Sequence, residues 1–243
     1  MTAPARPVVT VVQHQEDCPL GLFAGWLASA GVDARVHRPD RGDPLPAAGD
    51  AAGLVVLGGS MSATDDATVP WLAGTRELLA AAVDEEVPTL GVCLGHQLLT
   101  VACGGRVEPN PAGKQMGPLP VGLRPEAAGD RLLGGVAAGA RAIQWNDDVA
   151  VDLPPGAVLL AATADGIPQA IRVGPCAWGV QFHPEADGDI VARWKAADPQ
   201  PAGAGAALAA IRRAEPAMAR TWRGMVAAFC RLLPGPDRAP TST

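Results

Sequence analysis

Val87-Pro88-Thr89-Leu90-Gly91-Val92-Cys93-Leu94-Gly95-His96-Gln97-Leu98-Leu99 reads as a buried strand, a sharp turn and the first turns of a helix. The apolar run ends in Gly-x-Cys-x-Gly, and helical apolar spacing begins at once. That layout is a nucleophile elbow, with a thiol at the tip of a strand-to-helix turn. The flanking glycines permit strained dihedrals and keep bulk away from the sulfur. The thiol also stands at a helix N-terminus, where the dipole and unpaired N–H groups favour an anion.

Working outward, the N-terminal side repeats the same alternation. Val8–Val12 reads as a first strand, Cys18–Ala30 as a helix stopped by Gly31, Ala34–His37 as a second strand and Leu54–Leu57 as a third ending in Gly58-Gly59. Arg38–Ala52, rich in Pro, Gly and Asp, reads as loop, and Trp71–Val83 as a helix with Trp71, Leu72, Leu78 and Leu79 inward. Strands alternating with helices predict an α/β fold with a mostly parallel central sheet covered on both faces. In such sheets ligands bind beyond the carboxyl ends of the strands, where Gly58-Gly59 and Cys93 both lie. After residue 104 the pattern turns to short extended runs at Leu119–Leu123, Ala142–Trp145, Val158–Ala162, Gln169–Val173 and Trp178–Phe182. Helix returns at Gly188, with Ile190, Val191 and Trp194 on one face. A linker around Asp198-Pro199-Gln200-Pro201 follows, then one or two helices over Ala206–Leu233, divided or kinked near Pro216. The expected organisation is one domain over 1–233, with a helical extension at 203–233 and a disordered tail at 234–243.

The chain has 243 residues, 48% of them hydrophobic and 18% charged, with a formal net charge of −6. No basic block stands out, so neither nucleic acid nor an anionic membrane is expected as a partner. Five cysteines, Cys18, Cys93, Cys103, Cys176 and Cys230, are scattered without a Cys-x-x-Cys pair, which argues against a disulfide framework or a metal site and fits a reducing cytoplasm. No secretory signal and no membrane-length apolar run is visible.

The apolar run Trp178–Phe182 leads into a second motif, Gln181-Phe182-His183-Pro184-Glu185. Residues 183 and 185 of an extended segment point to the same side, and Pro184 between them stiffens the backbone. His183 is a candidate base and Glu185 a carboxylate to orient it, so the two motifs together point to a Cys-His-Glu triad.

Both motifs closely resemble the signatures of class I, triad-type glutamine amidotransferases. Leu57-Gly58-Gly59-Ser60-Met61, Gly113-Lys114-Gln115-Met116-Gly117, Trp145-Asn146-Asp147-Asp148 and Leu153 to Ala161 also look like family segments in the family's order, and the likeness runs from about residue 50 to 195. It is nearest to the glutaminase domain of GMP-synthase type, as a free-standing chain. The resemblance implies a flavodoxin-like amidotransferase fold. It also implies Cys93, His183 and Glu185 as catalytic residues, and the N–H groups of Gly59 and Leu94 as oxyanion hole. Gly58, Gln97 and Asn146 are implied at the substrate, with no cofactor or metal.

The implied reaction turns glutamine into glutamate and ammonia through a γ-glutamyl thioester on Cys93, with the ammonia passed to a separate acceptor-activating subunit. No phosphate-binding Gly-x4-Gly-Lys-[Ser/Thr] loop is present, so an ATP-dependent step falls to another protein. Two alternatives stay open: a free-standing γ-glutamyl hydrolase or peptidase, and a non-catalytic binding protein on the same fold. The chain departs from the family at two positions. Relatives often carry Trp-His-x-Asp where this chain has Asn146, and an acid is common where it has Gln115. Asn146 is expected at the mouth of the site. His14, His37 and His96 carry no catalytic role in this reading, and Cys18, Cys103, Cys176 and Cys230 are expected to be structural.

Overall fold

The computed structural model describes residues 6–198 and 202–234. The linker's Pro199-Gln200-Pro201, the first residues of the chain and the tail beyond Pro234 lie outside the described residues. The chain runs β1 (Val8–Val12), α1 (Leu22–Ser29), β2 (Asp33–His37), β3 (Gly53–Val56), α2 (Trp71–Asp84), β4 (Thr89–Val92) and α3 (Leu94–Ala102). Next come β5 (Arg106–Pro109), β6 (Gln115–Pro120), β7 (Arg141–Asn146), β8 (Asp148–Asp152), β9 (Val158–Ala162), β10 (Pro168–Val173) and β11 (Ala177–Val180). The chain closes with α4 (Gly188–Ala197) and α5 (Ala204–Leu232).

Seven strands form the central sheet in the order β2-β1-β3-β4-β11-β10-β9. The pairs from β2 to β11 are parallel, and β10 and β9 close the edge antiparallel. Side chains alternate along each strand and so feed two cores. Val9, Val11, Val55, Leu90 and Val92 join Phe23, Trp222 and Phe229 on the face of α1 and α5. Val12, Leu54 and Val56 join Leu72, Leu79, Leu94 and Leu98 on the face of α2 and α3. The expected α/β architecture with both faces covered is therefore present.

Some details differ from the sequence reading. The helix expected from Cys18 begins only at Leu22, because Gly21 holds φ 53° close against the Glu185 carbonyl, which accepts from the Leu22 N–H at 2.8 Å. The strands β5 and β8, which pair with each other, and the start of β6 were not expected: Pro109, Pro118 and Pro120 interrupt β5 and β6, and β8 is only five residues long and follows β7 after one residue. The C-terminal segment is one 29-residue helix, not two. Pro216 lies on its exposed side, where water can take the carbonyl left without a donor, while Ile211, Met218 and Trp222 hold the buried side continuous.

Two histidines are packed inside. His14, in the loop after β1, is fully buried and accepts a hydrogen bond at Nδ1 from Trp71 Nε1 at 3.1 Å. His96 lies above the register-paired glycines Gly91 and Gly179; neither of its ring nitrogens has a partner. Burial lowers the pKa of both to about 4, the nearby Asp40 only partly opposing it at His14. Both stay neutral in the folded chain while the unfolded chain protonates near 6.5, so stability is full above pH 6.5 and is lost as pH falls toward 4. Each contributes a slope of about 1.4 kcal/mol per pH unit within that window. Urea midpoints between pH 7.5 and 4.5 should fall accordingly, and His96→Leu should flatten the dependence by one proton; an unchanged slope in that variant would place His96 in contact with water.

Candidate active site

Two parallel neighbours, β4 and β11, deliver the two sequence motifs to the same end of the sheet. Cys93 follows β4 directly, with φ 50° and ψ −105°, and its N–H donates to Val180 O at 2.8 Å. Positive φ is rare for a residue with a Cβ, and it is what lifts the thiol out of the strand line. The neighbours must be glycine. A Cβ on Gly91 would come within 2.5 Å of Gly95 O, and one on Gly95 would run into Val56 O.

His183 follows β11, and its N–H donates to Ile143 O at 2.8 Å. Its Nδ1 lies 2.8 Å from Glu185 Oε1, both side chains being buried. Burial works against a charge on the imidazole, but the Cys93 sulfur and the Glu185 carboxylate on Nδ1 outweigh it and raise the pKa to about 10. Gly58 fits between the partners: a Cβ there would sit 3.1 Å from His183 Cε1 and 3.6 Å from Cys93 Cβ. Gly59 abuts the elbow, since a Cβ on it would meet Leu94 Cδ2 at 2.8 Å. Leu94 opens α3, so its N–H has no acceptor within the helix.

The elbow and His183 open onto a cavity of about 550 Å³, within the range of small-molecule sites. Cys93, His183, Gly59, Gln97 and Asn146 all line it. Gln97 donates to Asp148 O at 2.9 Å and to Gln181 Oε1 at 3.3 Å. Asn146 is in the cavity wall but only 4% exposed, so it is more enclosed than a residue at the mouth. Its Nδ2 donates to Gln115 Oε1 at 3.3 Å and to Asp148 O at 3.1 Å. The two departures from the family pattern are thus one contact, between register partners of β6 and β7.

Several residues at the site carried no role in the sequence reading. Gln181, buried behind the cavity, donates to Cys93 Sγ at 3.6 Å; its place two residues before His183, on the same side of an extended segment, was the available signal. Cys18 borders the cavity instead of standing apart, with its thiol pushed far up by burial and then by Asp17, Cys93 and Glu185. Trp194 packs against His183 at 4.5 Å between ring centroids. Five aspartates, Asp17, Asp65, Asp147, Asp148 and Asp198, face one lysine, Lys114, which is held at 2.7 Å by both Asp147 and Asp198. Among the described residues no group of three or more His, Cys, Asp or Glu side chains is placed to hold a metal ion. Nor is any helix among them long and apolar enough to cross a membrane.

Comparison with known proteins identifies the family. A family model described as glutamine amidotransferase class-I matches residues 24–190. The chain belongs to the class I glutamine amidotransferase family. It is 36% identical over 141 residues to a subunit of GMP synthase (glutamine-hydrolyzing) from Halobacterium salinarum, covering 58% of this chain and 69% of that one. It is 39% identical over 102 residues to GMP synthase (glutamine-hydrolyzing) of Porphyromonas gingivalis, 41% of this chain but only 19% of that longer protein. Among solved structures, a glutamine amido transferase from Methylobacillus flagellatus superimposes with a TM-score of 0.84 at 28% identity, covering 95% of this chain and 97% of that one.

Proposed function

We propose that this chain is a glutaminase. In this reading Cys93 attacks the carboxamide carbon of glutamine, and His183 protonates the departing ammonia as the carbon–nitrogen bond breaks. The γ-glutamyl thioester left on Cys93 is then cleaved by water, with His183 taking the water's proton, and glutamate leaves. Glu185 holds the imidazole in orientation and stabilises its protonated form. The N–H groups of Gly59 and Leu94 receive the oxyanion, each such donor being worth about 3–4 kcal/mol of barrier. Gly58, Gln97 and Asn146 shape the glutamine pocket.

The observation that carries the reading is the meeting of Cys93 and His183 on one cavity at the end of two adjacent parallel strands, with Glu185 behind them on His183 Nδ1. Relatives named as a subunit of GMP synthase support delivery of ammonia to a separate synthetase subunit. Five free thiols support a reducing, cytoplasmic setting. The second reading, a γ-glutamyl hydrolase, is favoured by the size of the cavity, which leaves room for a group beyond the γ-carbonyl. Turnover of glutamine and of γ-glutamyl dipeptides by the purified chain decides between them. Slow glutaminase activity that rises with a synthetase partner supports the first reading; faster cleavage of the dipeptide displaces it in favour of the second. No turnover of either, with Cys93 unreactive, ends both.

A further inference from the structure

Trp194 is the side chain in this site whose surroundings go beyond packing. It lies two turns into α4, a helix that starts three residues after Glu185. That start is fixed: the Asp187 carboxylate accepts from the N–H groups of Asp189 and Ile190 at 3.0 and 2.8 Å. Ile190, Val191 and Trp194 then share the buried side, so the helix folds back over the motif that precedes it. The indole is tied at its far edge as well, with Nε1 donating to Asp17 O at 2.7 Å, across 177 residues of sequence. Held from both ends, its ring meets His183 with centroids 4.5 Å apart and planes inclined at 52°.

Resting on the triad reading above, we propose that Trp194 is a positioning residue for His183: its ring fixes the imidazole in line with Glu185 and stabilises the imidazolium. An indole carries negative charge on its face and attracts a cation within about 6 Å of its centroid, more strongly when water is excluded. Exclusion holds here, since His183 is 4% and Trp194 7% exposed. The imidazole is then confined on three sides, by Glu185 at Nδ1, by the backbone of Gly58 near Cε1 and by the indole. A filler of the core would need neither the tether to Asp17 nor a place on the cavity.

Trp194→Leu and Trp194→Phe both lose the tether to Asp17 and leave the identity of every other charged and titratable group facing His183 unchanged, so their difference isolates the ring. Cys93 and Glu185 touch the ring, and Cys18 borders the same cavity. Asp17, Asp65, Asp147, Asp148, Asp198 and Lys114 line the same space, and Glu215 of α5 borders the small cleft behind the ring. A change in the titration of His183 therefore reports on the indole.

The test follows the ring signals of the four histidines by NMR in the intact chain, as pH is raised. Trp194→Leu, which removes both ring and tether, should move the His183 midpoint down by about 0.5–1 pH unit, the shift expected for one desolvated cation–ring contact. Trp194→Phe, which keeps a ring but loses the tether, should move it by less than half as much and retain most of the glutamine turnover. An unmoved midpoint in a folded Trp194→Leu chain, or equal shifts in the two variants, would overturn the proposal. The titration needs no turnover, so the failure of the glutaminase reading would show separately, as an inactive wild-type chain with an intact Trp194-dependent midpoint.

Discussion

Cys93→Ala and Cys93→Ser are expected to abolish glutamine turnover, by on the order of 10⁴-fold or more, while leaving the far-ultraviolet circular dichroism unchanged. In the proposed reaction the thiol is the group on which the thioester forms, and neither a methyl nor a hydroxyl would replace it there. The fold should tolerate the change, because alanine and serine are smaller than cysteine and the glycines that shape the elbow remain. Mass spectrometry after treatment with a glutamine-like chloroketone gives a sharper reading. The adduct should fall on Cys93 and spare Cys18, although both thiols border the same cavity. Cys18 is kept protonated by burial and by the carboxylates around it, and a thiol is a poor nucleophile. An adduct on Cys18 with Cys93 unmodified would reverse the assignment.

His183→Ala should lose turnover on the order of 10⁵-fold, and Glu185→Gln about ten- to a hundred-fold less than that. In the proposed mechanism the base moves protons in both half-reactions, whereas the carboxylate acts only through the base. The geometry also favours tolerance of glutamine at 185. Only Oε1 of Glu185 is engaged, by His183; Oε2 has no partner among the described residues. An amide can keep its carbonyl on Nδ1–H and place its NH₂ where nothing is displaced. What it removes is the negative charge, so the imidazolium is weakened and not misaligned. Comparison of kcat for the two variants checks this, and equal mild losses would mean that the pair serves only the fold.

The parts of the molecule that rest on short-range spacing were legible in the sequence. Gly91, Cys93 and Gly95 specify the elbow within five positions, and His183 and Glu185 are fixed two apart by strand period, so both motifs appear in place with the expected sheet around them. What depends on distant partners was not legible. Trp194 could be assigned to a buried face from its helical spacing, but its tether is 177 residues away. Asn146 and Gln115 looked like two separate departures, and only the pairing of β6 with β7 makes them one neutral amide contact where the family pattern suggests a histidine and an acid. The inward turn of His14 and His96 left no trace in local pattern, because a histidine reads the same whether it faces water or a pair of glycines. Continuity of α5 through Pro216 was likewise decided by the packing of its buried side.

The elbow dihedrals also set thermal stability against function. Cys93 and Glu86 are the two non-glycine residues among those described that hold a positive φ. At such a position glycine is at ease and any side chain is strained, by about 1 kcal/mol or more. Cys93→Gly should therefore melt higher than Cys93→Ala, the reverse of the usual order for these two residues, and scanning the pair together reads the difference. Breeding this chain for heat resistance alone would favour the loss of its nucleophile. A hardened variant made without an activity screen should accordingly be sequenced first at position 93.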